Sequence, residues 1–219
     1  MPAEERVRGK GTVVVVAAGA GPDVARALPP GATVIAADGG LDRALALGLT
    51  PRLVVGDMDS ISGAALADAE RAGAMVVRHP AAKDSADLEL ALDEALAVSP
   101  ARIVVVASAA GRLDHLLASL LLLGSEKLAA VEVDAVVGEA TVHVVRTERV
   151  LRGSAGQLLT LLALHGPAEG VVTSGLTYPL RGETLWPGSS RGLSNVFVDE
   201  EARVSVERGV VLAIRPEGR

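Results

Sequence analysis

An open, largely parallel α/β sheet followed by a smaller all-β sandwich is predicted by three observations. Apolar, β-branched runs alternate with helix-period segments through the first 130 residues. Those runs are apolar throughout rather than at every second residue, as strands covered on both faces are. Beyond about Gly124 the helical patterns stop, and short strand-like runs punctuated by Gly, Ser and Pro take over.

In order, "TVVVVAA" (Thr12–Ala18), "TVIAAD" (Thr33–Asp38), "RLVVGD" (Arg52–Asp57), "AMVVRH" (Ala74–His79) and "RIVVVAS" (Arg102–Ser108) read as buried strands. Between or after them, "LDRALALG", "SGAALADAERAG", "SADLELALDEALA" and "RLDHLLASLLLL" carry helical spacing. Repeated β-α-β units of this kind give a Rossmann-like sheet with helices on both faces. Leu116–Leu123, "LLASLLLL", falls far short of the roughly 20 residues a membrane span needs, so it is expected to be a buried helix. "GSEKLAA" (Gly124–Ala130) is the expected boundary, giving an α/β domain over 1–130 and a β-sandwich domain over 131–219. In the latter, "VEVDAVVG", "ATVHVVRTE", "GQLLTLLAL", "GVVTSG" and "ARVSVERGVVLAIR" are the strand candidates, with a hairpin turn expected at Arg208-Gly209.

The chain has 219 residues, a formal net charge of −6 and no cysteine. Thiolate nucleophiles, disulfide scaffolds and Cys-based metal sites are therefore excluded. The acidic balance argues against a nucleic-acid-binding surface but leaves room for one small anionic ligand. The charged N-terminus "MPAEERVRGKG" has no apolar signal core, so a protein of the cytoplasm, unattached to membranes, is expected.

In an open α/β sheet, ligands sit beyond the carboxyl ends of the strands. Here the second strand ends in Asp38-Gly39-Gly40 and the third in Gly56-Asp57-Met58-Asp59-Ser60. The fourth runs into Lys83, Asp84 and Asp87, and the fifth into Arg112, Asp114 and His115. Four consecutive strands thus deliver acids, one Lys and one Arg to the same rim. Individually the pieces have plain structural readings: Asp38-Gly39 as a turn, Asp84 as a cap for a helix from Ser85, Asp114 as a complement to a helix dipole. Asp57 and Asp59 resist that treatment, because on an extended chain they share a face and repel unless a cation lies between them. With oxygen donors alone, the cation is hard, Mg²⁺ ahead of Ca²⁺ or Mn²⁺. Carboxylate-held Mg²⁺ beside Lys83 and Arg112 is equipment for phosphoryl chemistry on a nucleotide or polyphosphate.

Two decoys fall away. "GAG" after the first strand has Val24 where a dinucleotide fingerprint needs glycine, and "GSSRG" (Gly188–Gly192) lacks a strand-to-helix elbow. Of the histidines, only His115 lies on the rim; His143 and His165 read as ordinary strand or loop residues. The single Tyr, Trp and Phe all fall between Tyr178 and Phe197, a candidate stacking surface whose alternative is a plug for the β core.

The ordered set "AADGG", "PRLVVGDMDS", "KDSADLELAL", "GRLDH", "GLTYPL" and "LSN" resembles the thiamine pyrophosphokinase family from Val13 to the last strands. The resemblance implies an ATP-binding α/β domain, a thiamine-binding β-sandwich, and a homodimer with active sites between subunits. It implies transfer of a pyrophosphoryl group from ATP to thiamine. Asp57, Asp59 and Asp84 would bind Mg²⁺–ATP, with Asp87 as a fourth catalytic carboxylate and Asp38 and Gly39 nearby. Lys83 and Arg112 would contact phosphates, Asp114 and His115 would shape the nucleotide end, and Ser194, Asn195, Tyr178 and Trp186 would meet thiamine. Ala86 stands where the family usually has Thr, Met58 where an aromatic is common, and Tyr178 where some members have Trp. Two other readings compete: a pyrophosphokinase for another hydroxymethyl acceptor such as a pterin, and a non-catalytic nucleotide-binding module on the same fold.

Overall fold

The computed structural model describes residues 11–19, 28–82 and 84–216. They belong to two compact units, one of residues up to Leu116 with Ala130–Val133, the other of Leu117–Ala129 with the residues from Asp134 onward.

The five apolar runs of the first unit form strands β1 (Thr12–Val16), β2 (Thr33–Ala37), β3 (Leu53–Gly56), β4 (Met75–Arg78) and β5 (Arg102–Ala107). They pair in parallel in the order β4-β3-β2-β1-β5. Val14, Val15, Val16, Val54, Val55, Val105 and Val106 are all but inaccessible to water. Their β-branched side chains suit a pleated surface covered from both sides. Helices α1 (Gly40–Ala46), α2 (Gly63–Arg71) and α3 (Asp87–Ala97) follow β2, β3 and β4. Leu41 of α1 packs with Ala36, Val54 and the α2 alanines Ala65 and Ala69. Ser62 starts α2: its hydroxyl accepts from the Ala65 amide at 3.2 Å and donates to Asp42 Oδ1 at 2.9 Å. One serine thus caps a helix and ties it to α1. The strand order reverses between β1 and β5, so the crevice where such sheets take ligands opens at the C-terminal ends around that point.

Helix α4 (Leu113–Leu123) differs from expectation. The sequence predicts a buried helix, yet only Leu123 is buried, while Leu113, Leu117 and Leu121 are 67%, 52% and 49% exposed. Among the described residues, no helix is long and apolar enough to cross a membrane.

The second unit holds most of β6 (Glu132–Val137), then β7 (Ala140–Val145), β8 (Glu148–Arg152), β9 (Leu158–Ser174), β10 (Arg181–Leu185), β11 (Asn195–Val196), β12 (Glu201–Ser205) and β13 (Arg208–Arg215). Its pairings are antiparallel in the order β6-β7-β13-β9-β12-β8, with β10 and β11 also on β9. The two runs "GQLLTLLAL" and "GVVTSG" are one strand, bent where His165 and Gly170 take positive φ of 62° and 63°. The hairpin expected at Arg208-Gly209 does not form. β13 pairs with the first part of β9, and β12 with its last residues, so β9 lies where the hairpin partner would be.

Phe197, Leu159, Leu161, Val171, Val204 and Val211 fill the core of this unit. A buried ion cluster joins three strands: Asp134 Oδ1 meets His143 Nδ1 at 2.7 Å and accepts from Arg149 Nη2 at 2.8 Å. A carboxylate that is only 2% exposed is tolerable because both partners converge on it. His143 is thus a structural residue, as the sequence suggests.

Candidate active site

The two aspartates of "GDMDS" do come together, though not on an extended chain. Gly56 has φ of 153° and Met58 of 69°, so the backbone turns over as it leaves β3. The Asp59 amide donates to Asp57 Oδ1 at 3.2 Å, closing a turn held by the aspartate's own side chain. Asp38 joins them from the end of β2. Its φ of 43° swings the side chain aside while its amide still donates to the Val55 carbonyl at 2.8 Å, keeping β2 against β3. Asp38 Oδ1 then accepts from the Met58 amide at 3.1 Å. One carboxylate oxygen from each of Asp38, Asp57 and Asp59 lies within 4.8 Å of the others.

Gly56 makes the approach possible. A Cβ there would stand 2.8 Å from Asp38 Cβ and 3.1 Å from Asp87 Oδ1, closer than side chains tolerate. Asp87, at the first position of α3, therefore lies on the same side of Gly56 as Asp38. The carboxylates differ in exposure: Asp38 is buried, Asp57 half-buried and Asp59 exposed. Burial pushes the Asp38 carboxyl up, and the negative charges of Asp87 and Asp57 add to the rise. Hydrogen bonds from the Gly39 backbone and Ser60 oppose it.

Three hard oxygen donors in a space of this size, graded from buried to exposed and without sulfur or imidazole among them, fit a divalent hard cation with coordination positions left for a ligand. The same crowding destabilises the protein when no cation neutralises it. Asp38→Asn keeps the acceptor for Met58 and removes one charge. It is expected to raise the thermal midpoint at neutral pH by roughly 2–4 °C, about 1 kcal/mol in a protein of this size. The gain has a sign that pH can check. Above the raised folded-state pKa, wild-type Asp38 carries its unfavourable charge and the variant is ahead. Below the ordinary carboxylate value of about 3.9, both are neutral and the difference vanishes. Calorimetry of the two proteins at both pH values measures it.

Asp84 is exposed and does not belong to the group of three, and α3 begins at Asp87 with Ala86 at its N-cap position, so Asp84 is not a cap either. Lys83 lies outside the described residues. Asp38, read from sequence as an ATP-binding residue, lies close to Asp57 and Asp59. The signal that could have found it is the pairing of β2 with β3, which sets their C-terminal ends side by side.

At the end of β5, Arg112 forks onto Asp114, Nε to Oδ1 at 3.2 Å and Nη2 to Oδ2 at 2.6 Å. That guanidinium holds the Asp114 carboxyl down to about 2. Both side chains are exposed, so the pair orients a cationic fork at the rim rather than stabilising the fold. Asp114 and His115 occupy the first turn of α4, where Asp114 complements the helix dipole as expected.

In the second unit, Ser194 is exposed with φ of 54°, and its amide donates to Thr160 Oγ1 at 3.1 Å. Asn195 is buried and engaged at both ends of its amide. Its Oδ1 accepts from the Tyr178 and Val196 amides, each at 2.9 Å, and its Nδ2 donates to the Tyr178 carbonyl at 2.7 Å. Asn195 thus acts by fixing the Tyr178 segment. Tyr178 and Trp186 stand 60% and 61% exposed, whereas Phe197 is core. The aromatic cluster divides into two rings offered to solvent and one structural plug.

Residues 26–133 match the family model described as thiamin pyrophosphokinase, catalytic domain, and residues 140–211 match thiamin pyrophosphokinase, vitamin B1 binding domain. The thiamine pyrophosphokinase of Bacillus subtilis (strain 168) is 25% identical over 183 residues, 83% of this chain and 86% of that protein. The crystal structure of thiamine pyrophosphokinase from Bacillus subtilis superposes with a TM-score of 0.83 at 25% identity, covering 95% of this chain and 100% of that one. Thiamin pyrophosphokinase from Candida albicans shares the fold at 17% identity, with a TM-score of 0.77 over 95% of this chain and 90% of that one.

Proposed function

This chain belongs to the thiamin pyrophosphokinase family, and on that premise we propose that it transfers a pyrophosphoryl group from ATP to the hydroxyl oxygen of thiamine, giving thiamine diphosphate and AMP. The observation that carries the reading is the convergence of Asp38, Asp57 and Asp59 at the ends of two adjacent parallel strands. Residues 1–130 form a Rossmann-like ATP-binding domain in this reading, and residues 131–219 a β-sandwich that takes thiamine.

Asp57 and Asp59 would hold Mg²⁺ together with Asp38, and Asp84 and Asp87 would complete the acidic rim. The bound ion would grip triphosphate oxygens and offset the charge that builds on them. Arg112 supplies a forked cation to the phosphates, and Lys83 a second one. The alcohol oxygen attacks the β-phosphorus as the bond from that phosphorus to the α-phosphate's bridging oxygen breaks. Its proton passes to one of the rim carboxylates, and AMP leaves. Thiamine carries a permanent positive charge, which the acidic rim attracts and the exposed rings of Tyr178 and Trp186 can face. Ser194 offers its exposed hydroxyl to thiamine, and Asn195 keeps Tyr178 in place. Gly39, Asp114 and His115 shape the nucleotide end. The protein works in the cytoplasm as a homodimer with active sites at the subunit interface.

The test is a product assay. AMP and thiamine diphosphate are expected in equal amounts only when ATP, Mg²⁺ and thiamine are all present. AMP released at the same rate without thiamine, or with a hydroxymethylpterin in its place, contradicts the assignment of the acceptor.

A further inference from the structure

Trp186 is the protein's single tryptophan and stands exposed on the stretch that leaves β10. That stretch is fastened at both ends. Leu185 is paired with Ala168 of β9, and the Gly192 carbonyl accepts from the Leu161 amide at 2.8 Å. Gly192 can seat there because it has no Cβ, which would stand 2.1 Å from the Leu161 carbonyl oxygen. Between these two points the chain bonds mostly to itself. Pro187 and Gly188 form the corner of a turn that the Ser189 amide closes onto the Trp186 carbonyl at 3.0 Å, with Gly188 supplying the positive φ of 81°. The Arg191 amide donates to Ser189 Oγ at 3.2 Å. Among the described residues, one polar tie joins residues 186–191 to a strand. Arg191 forks onto Glu183 of β10, Nε to Oε2 at 2.9 Å and Nη2 to Oε1 at 3.1 Å. Bidentate pairing of this kind fixes direction as well as distance. β10 is shaped for it: its register against β9 slips on both sides of Glu183, an irregularity that re-aims a side chain from the face strict alternation would give it.

We propose that Glu183 and Arg191 are positioning residues for the acceptor, holding the Trp186 turn against the sheet so that the indole ring meets a flat, cationic ligand already oriented. Both side chains reach solvent, and an ion pair of that exposure adds little to stability. Its effect therefore falls on the loop rather than on the fold. The fork also settles the charge beside the ring. Alone, Arg191 would set an uncompensated cation on the loop that carries Trp186 and repel a cationic ligand, whereas the fork engages both Glu183 oxygens and cancels that charge. The inference rests on thiamine as the acceptor and deepens that reading, because it names what presents the ring. Without either partner the loop moves, and the ligand must order it on binding at a cost in affinity. The two losses are unequal. Neutralising Glu183 adds repulsion to looseness, while neutralising Arg191 leaves a carboxylate that attracts the ligand and offsets part of the loss.

The KM for thiamine is expected to rise about 3-fold in Arg191→Gln and about 10-fold or more in Glu183→Gln, with kcat and the KM for ATP unchanged, the pattern of lost uniform binding. Arg191→Lys keeps the charge without the fork and is expected to recover part of what Arg191→Gln loses. Thermal midpoints are expected to stay within roughly 2 °C of wild type. Trp186 gives a readout that needs no turnover, since no other tryptophan contributes to the signal. The decay of its polarised emission is expected to show faster local motion of the ring in both glutamine variants. An unchanged KM for thiamine in both, an effect in E183Q no larger than in R191Q, or a raised KM for ATP overturns the proposal. So does a fall of kcat together with the thermal midpoint, which assigns the pair to the fold, and so does ring motion equal in all the proteins. A wild type that makes no thiamine diphosphate, with a freer ring in the variants, keeps the fastening of the loop and sinks the thiamine reading. An active wild type with equal ring motion throughout does the reverse.

Discussion

Asp57→Asn is expected to lower turnover by about 10²- to 10³-fold with ATP and thiamine saturating, the scale on which losing one electrostatic contact to a developing charge is felt. The fold is expected to survive. The asparagine side chain has the same shape, and its carbonyl oxygen can still accept from the Asp59 amide, which closes the turn after β3. Removing one of three crowded anions also relieves repulsion, so the thermal midpoint should stay level or rise. Asp59→Asn should behave alike, although Asp59 is the exposed member and also accepts from the Ser60 hydroxyl at 2.8 Å. The decisive measurement is a Mg²⁺ titration of kcat. The variant should need more metal and reach a lower plateau, and wild-type rates at limiting Mg²⁺ would remove Asp57 from the metal site.

The second large effect is on folding. Gly40→Ala is expected to destabilise the protein by about 3 kcal/mol, near the upper end of what forcing a methyl group into a packed core costs. A Cβ on Gly40 would lie 2.0 Å from the Val16 carbonyl oxygen and 2.8 Å from its carbon. These are backbone atoms of β1, so no side chain can rotate away. The first turn of α1 would have to lift from the end of β1, carrying Asp38 and Gly39 with it. A fall in thermal midpoint of roughly 6–12 °C is expected by calorimetry, together with weakened Mg²⁺ binding. An alanine variant as stable as wild type would mean that α1 is less firmly seated on β1 than this contact implies.

The parallel part of the fold was legible because its strands are covered on both faces and show it residue by residue. Val13–Val16, Val34–Ala37 and Ile103–Ala107 are continuous buried runs in sequence and in structure alike. The antiparallel part was less so. Each half of β9 looks like a strand, but only the long-range pairings with β13 and β12 reveal that His165 and Gly170 bend one strand rather than end two. α4 misled for a related reason. Leucine content predicts burial, yet composition cannot say whether the covering surface belongs to the same chain. At the site, the rim was readable from the polar residues just past each strand, since strand ends in a parallel sheet share an edge. That Asp38 would group with Asp57 and Asp59 in particular was not, because it depends on left-handed backbone at Asp38 and Met58, a conformation that few non-glycine residues adopt.

The place of β13 bears on how the protein comes into being. The strand made last in its unit sits inside the sheet, between β7 and β9, each of which pairs with it along several residues. On the ribosome, β7 and β9 emerge with an open slot between them, their facing amides and carbonyls lacking the neighbour that will satisfy them. Such edges invite foreign strands. The unit therefore closes late and all at once, and a nascent chain cut short before Arg208 holds two halves of a sheet with nothing to join them.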